Sequence, residues 1–147
     1  MHLQSPVLIF FIMAFSSTLH IEGHPREQDG ITVVSCNFGF QQQIDQRGAT
    51  NSRVTGGIIN IGLMNENDSD LLQWMFSQTA KKNGKIVFGS LAENRALQTI
   101  KFKDAALVGY QQSYSNLTEV TIALTLSCRE IDISGNTFQN IWQSDNR

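Results

Sequence analysis

Hydrophobic and polar residues alternate along most of this chain, and a two-residue period predicts β-strands with one buried face. The cleanest run is Val120–Ile133. There Val120, Ile122, Leu124, Leu126 and Cys128 share one side, and Thr121, Ala123, Thr125, Ser127 and Arg129 share the other. Phe15, Ser17, Leu19 and Ile21 alternate with Ser16, Thr18 and His20, which predicts a strand starting just after Met13. Ile31–Phe40 gives a second strand, with Val34, Cys36, Phe38 and Phe40 in one row headed by Thr32. The third is Val54–Met64, where Gly56-Gly57 can bulge or bend the chain before Ile59, Ile61 and Leu63 alternate. Lys85–Leu91 follows, and then Leu97–Tyr110 with Ile100, Phe102, Ala106, Val108 and Tyr110 in register. Polar segments at Glu22–Gly30, Ala92–Ala96 and Gln111–Asn116 supply the turns.

One stretch departs from this period. Leu71, Leu72, Met75, Phe76 and Thr79 recur at helical spacing and form an apolar stripe, with Trp74 beside it. Asp68 and Ser69 can cap the free N–H groups of the first turn, and Asp68 and Asp70 favour the positive end of the helix dipole. Lys81 and Lys82 favour the other end, where Asn83-Gly84 provides a left-handed stop. So short a helix is marginal alone in water, and its stripe therefore needs a partner surface. Several antiparallel strands at short spacing plus one helix imply a sandwich or a closed barrel, with the helix across one opening or edge.

Between the second and third strands lies Gln41–Arg53, a segment with almost no apolar residue. So long a polar segment inside a compact domain is usually functional or mobile. The length of 147 residues fits one domain, and a net charge of −2 without clustered Lys and Arg argues against nucleic acid as a partner. Cys36 and Cys128 lie in apolar rows, which favours two buried free thiols over a disulfide.

Ser5–Phe15 is apolar, too short to span a bilayer as a helix, and similar in length to a signal-peptide core. Ahead of it stands His2 and no Lys or Arg, and cleavage after Ser16 would cut into the first strand. We therefore take Met13 as the biological start. Residues 1–12 are then an upstream extension outside the fold, 13–143 the domain and 144–147 a flexible tail.

Candidate chemistry is sparse. Asp68 and Asp70 are explained by the helix start, and His20 and His24 are separated by Gly23, so they cannot share a helix face as a zinc pair would. There is no nucleophile elbow, P-loop or dinucleotide fingerprint, and both thiols sit where a thiolate is disfavoured. The sequence predicts no catalytic residue, no cofactor and no metal.

The ordered features resemble the tube protein of the type VI secretion system, the Hcp or TssD family, in its Bacteroidetes form. The matching letters are Met13-Ala14-Phe15 with Leu19-His20-Ile21-Glu22-Gly23, Val34-Ser35-Cys36-Asn37-Phe38, Asp45-Gln46-Arg47-Gly48 and Val54-Thr55-Gly56-Gly57-Ile58-Ile59. Further along they are Asp70-Leu71-Leu72-Gln73-Trp74-Met75, Lys82-Asn83-Gly84-Lys85-Ile86-Val87-Phe88, Leu117-Thr118, Ser127-Cys128-Arg129-Glu130-Ile131 and Gly135-Asn136 with Trp142. The resemblance implies a mainly β fold, an antiparallel two-sheet β-barrel or sandwich with one α-helix packed alongside. It also implies hexameric rings that stack into a tube, driven by a contractile sheath with spike and baseplate proteins, and carrying small effectors in the lumen. Such a protein would assemble in the bacterial cytoplasm and then be expelled from the cell, without stable membrane insertion. On this reading Gln42, Asp45, Arg47, Gly48 and Arg53 are candidates for a contact with an adjacent ring or subunit. Thr121, Thr125 and Arg129 are candidates for a subunit contact or the lumen wall. Asp68, Leu71, Leu72, Trp74, Met75, Phe76 and Gly84 form the structural helix block. The alternatives are a secreted or periplasmic β-sandwich binding module, and the tube of a related phage-tail-like injection device.

Overall fold

The structure, a computed structural model, describes residues 15–49, 54–64, 68–90, 95–115 and 120–140. Their strands are β1 (Phe15–Ile21), β2 (Ile31–Phe38), β3 (Ile58–Met64), β4 (Lys82–Ser90), β5 (Arg95–Tyr114), β6 (Val120–Ile133) and β7 (Asn136–Gln139). The helix, α1 (Ser69–Phe76), lies between β3 and β4. All pairings are antiparallel, in the order β3-β2-β1-β4-β5-β6-β7, and β3 also pairs with β6. That second pairing closes six strands into a barrel. The strands thus form one closed sheet rather than two stacked sheets. The length of β6 makes this possible, because Thr121–Ser127 pairs with β3 while Glu130–Ile133 carries β7.

The core is the inward row of each strand: Leu19 and Ile21, Ile59 and Leu63, Ile86, Ile100 and Phe102, and Ile122, Leu124, Leu126 and Cys128 are buried. The alternation predicted for β1, β3 and β6 is therefore the observed one. On β2 it is not. Ile31 and Val33 face inward, whereas Val34 is 52% exposed. Val33 lies opposite Leu63, the register shifts between Val33 and Ser35, and Cys36 then lies opposite Ile61. This bulge adds a residue and reverses the phase, so Val34 and Cys36 do not share a row. Phe38 and Phe40 stay half open to solvent, with Phe40 against Phe138 at a ring-centroid distance of 4.9 Å.

On β5 Ile100 and Phe102 are buried as the alternation predicts, but beyond them the buried residues are Ala105 and Leu107, not Ala106 and Val108. Asp104 has a positive φ of 50° and its N–H donates to Asn83 Oδ1, and a second register shift falls between Leu107 and Gly109. These irregularities move the inward row by one. Gln111–Tyr114, expected to turn, continues β5 because it pairs with Val120–Ala123. The short β7 was not predicted.

The helix is shorter than its apolar stripe. It ends at Phe76, where the Ser77 N–H donates to the Trp74 carbonyl and the Ser77 hydroxyl accepts from the N–H groups of Thr79 and Ala80. Lys82, Asn83 and Gly84 belong to β4 and do not cap the helix. Trp74 and Leu71 form its buried centre, Leu72 and Met75 are half-buried, and Phe76 and Thr79 point outward. Gly84 is needed for a different reason. A Cβ there would collide with the His20 carbonyl oxygen and the Phe102 ring.

Candidate functional site

The polar segment after β2 is a built structure. A two-residue bridge closes its neck, with the Gln41 N–H donating to the Thr55 carbonyl at 2.9 Å and the Thr55 N–H to the Gln41 carbonyl at 2.7 Å. At its tip the Asp45 carboxylate accepts from the backbone N–H groups of Arg47 and Ala49 at 2.9 and 3.0 Å. The Asp45 N–H donates to the Ala49 carbonyl, the Gly48 N–H donates to the Asp45 carbonyl, and Gly48 adopts the left-handed φ of 88° that the turn requires. Gln42, Asp45, Arg47 and Gly48 are thus gathered on one exposed knuckle. Arg53 lies outside the described residues.

The outer row of β6 is less uniform than its sequence suggests. Thr121 and Arg129 are exposed, but Thr125 is half-buried and donates to Asn60 Oδ1 at 3.0 Å. Asn60 in turn donates to Asn37 Oδ1 at 3.1 Å, so a ladder of short polar side chains crosses β2, β3 and β6 on the outer wall. Arg129 stands apart from it, beyond the last β3–β6 pair, and its carbonyl accepts from the Asn140 N–H.

At the opposite end of β2, the turn 22–30 and strands β4 and β5 enclose a cleft of about 550 Å³. Lys85, Lys101 and Lys103 line it from the strands, and Glu22 and Glu27 from the turn. Sequence reading missed it, because Lys85 and Lys101 meet only through the β4–β5 register, which places them directly opposite one another.

A second arrangement invisible in the sequence is the buried pair of His24 and Asp68. His24 Nδ1 accepts from the Arg26 N–H at 3.0 Å, so the ring proton sits on Nε2 and is donated to the Asp68 carboxylate at 2.9 Å. The same carboxylate accepts from the Leu71 N–H and caps α1. Asp70 lies near enough to form a three-residue group with them. Both nitrogens of His24 are already used, however, and this hydrogen bonding accounts for the group. The pair fastens the 22–30 turn to the start of the helix. His20 is likewise committed, its Nδ1 donating to the Glu27 carbonyl and its Nε2 accepting from the Thr18 hydroxyl.

The two thiols are free. Burial pushes the Cys128 thiol up to about 12 and also raises Cys36, so neither supplies a thiolate nucleophile near neutrality. Among the described residues no helix is long and apolar enough to cross a membrane.

Residues 13–143 match the family model described as hemolysin coregulated protein Hcp (TssD). No curated protein matches the chain. Among solved structures, Hcp1 from Flavobacterium johnsoniae is similar with a TM-score of 0.76 at 24% identity, covering 85% of this chain and 99% of that one. Hcp1 from Salmonella typhimurium gives a TM-score of 0.67 at 16% identity over 86% and 92% of the two chains. A chain of the anti-feeding prophage baseplate, 6-fold symmetrised, gives 0.50 at 16% identity over 83% and 93%.

Proposed function

The chain belongs to the Hcp (TssD) family and is a structural tube protein of the type VI secretion system, not an enzyme; from that premise we propose how its surfaces are used. Six copies close into a ring, rings stack into the inner tube, and a contractile sheath with its spike and baseplate expels that tube. The chain assembles in the cytoplasm and reaches the outside, or a target cell, through the device itself. Small effectors ride in the lumen.

The observation that carries this reading is the family match across residues 13–143. Its extent also supports Met13 as the start and residues 1–12 as an extension. Mass spectrometry of the protein from its native host tests that start, and an intact mass including residues 1–12, or an N-terminus at Ser17, would refute it.

The exposed knuckle supports a role for Gln42, Asp45, Arg47 and Gly48 in contacts between rings, with Arg53 in the adjoining stretch. The ladder at Thr125, with Thr121 and Arg129 near it, suits a subunit contact or the lumen wall. Electron microscopy of the purified chain is the direct test, with rings and short tubes as the expected result. Deleting Gln42 to Thr50 should leave folded rings that fail to stack, and normal tubes from that variant would refute the assignment. The likeness to the prophage baseplate chain favours a second reading, the tube of a related contractile device. Neighbouring genes for sheath and spike proteins of one system or the other decide between them.

A further inference from the structure

We infer that the knuckle of one copy docks into the lysine-lined cleft of a second copy in the next ring. The inference rests on the stacked-tube reading and names the two faces that meet. They lie at opposite ends of the subunit. The cleft is bounded by the turn that precedes Ile31, the knuckle follows Phe38, and eight residues of strand between them span about 25 Å. A contact between opposite ends of identical subunits is head-to-tail, and such contacts repeat without limit along an axis.

Charge selects the partner. Lys85 and Lys101 face each other across β4 and β5, and among the described residues no hydrogen bond or ion pair engages either ammonium group. Like charges directly opposite one another destabilise a sheet unless something anionic joins them. Lys103 is partly satisfied by Glu130 at 3.8 Å. Asp132 lies opposite Lys101 on β6, but its carboxylate accepts from the Gly135 N–H and the Thr137 hydroxyl. The turn lines the cleft with carboxylates. Glu22 has no side-chain bond among the described residues, and Glu27 uses one oxygen on the Gly23 N–H.

The knuckle carries the complementary pair. Both turn bonds to Asp45 fall on Oδ1, which leaves Oδ2 for a partner. The Arg47 guanidinium, two residues on, has no partner among the described residues. Asp45 therefore meets Lys85 and Lys101, and Arg47 meets Glu22 and Glu27. Ile44, 62% exposed beside them, lies on the same docking face of the knuckle. The closed neck and bonded tip hold this arrangement before docking, which lowers the ordering cost of association.

The test uses the full chain, with ring formation followed by size exclusion and tube formation by electron microscopy. Lys85→Glu with Lys101→Glu reverses the cationic wall at exposed strand positions, and rings without tubes are expected. Arg47→Glu, which keeps the Asp45 turn bonds, should also lose tubes. Adding Glu22→Lys to the Arg47→Glu variant, which leaves the Asp45 turn bonds in place, should restore them. Cysteines placed at Arg47 and Glu22 in one chain should link subunits of different rings into a ladder on oxidation. Tubes from either reversal variant, or no rescue by the charge swap, overturns the docking while leaving the stacked-tube reading intact. Loss of the rings themselves in these variants would assign the contact to ring closure and overturn it too. A wild-type chain that forms no ring at all refutes the underlying reading and the docking with it.

Discussion

Asp68 performs two tasks with one carboxylate: it caps α1 through the Leu71 N–H and receives the Nε2 proton of His24. Both groups are buried, so removing the carboxylate leaves two donors without an acceptor. Asp68→Ala should therefore cost about 2–4 kcal/mol in urea unfolding, while Asp68→Asn, which keeps an acceptor, should cost clearly less. The capping role was legible from the sequence, because it depends only on neighbours within one turn. The bond to His24, 44 residues away, was not, since nothing local encodes where the 22–30 turn lands. Cys128 gives a pH test. Burial raises its folded value to about 12, above the ordinary thiol value of 9.0, so between them the folded state holds a proton that the unfolded state has lost. Its contribution is complete below about pH 9 and is lost as pH rises toward 12. Unfolding midpoints should fall over this range, and less steeply in Cys128→Ala than in the parent.

At the scale of elements, α1 is held by burial rather than by intrinsic helicity. Its eight residues could not persist alone, and Trp74 anchors it, with the indole N–H donating to the Ala80 carbonyl as the chain turns back toward β4. Trp74→Ala should cost about 3–5 kcal/mol, whereas Phe76→Ser, at a side chain 77% exposed, should change stability by less than about 0.5 kcal/mol. Equilibrium denaturation of the two variants makes the comparison, and it inverts the order that the helical stripe alone suggests. The Ser77 hydroxyl explains why. It takes the N–H groups of Thr79 and Ala80 and stops the helix, so Thr79 never reaches the stripe. Strand phases behave similarly. They were legible wherever the ladder is unbroken, as on β6, and failed at Val34 and Val108 because each bulge depends on the partner strand. Gly84 is the converse case: its presence was noticed, but the close approach of β1 and Phe102 requires it rather than a helix cap. Gly84→Ala should destabilise by about 1–3 kcal/mol, measurable in the same assay.

For the whole molecule, closure of the barrel through β3 and β6 covers the long edge that β3 would otherwise present, leaves only the four-residue β7 as an edge among the described strands, and directs association to the ends and the outer wall. A subunit shaped for assembly can carry interactions that are unfavourable until its partner arrives. Lys85 opposite Lys101 is such a case, two like charges in register on an exposed face. Lys85→Gln removes that repulsion without adding a carboxylate opposite Glu22 and Glu27, while His20, its neighbour on β1, is already hydrogen-bonded elsewhere. The isolated subunit should gain about 0.2–1 kcal/mol, read as a higher urea midpoint at low salt, and the gain should shrink as salt screens the charges. The same substitution neutralises the wall that would receive Asp45, so tubes should become fewer as the monomer becomes more stable. Opposite signs in the two measurements distinguish a lysine pair kept for assembly from one that is merely tolerated at the surface, for which tube yield would follow subunit stability.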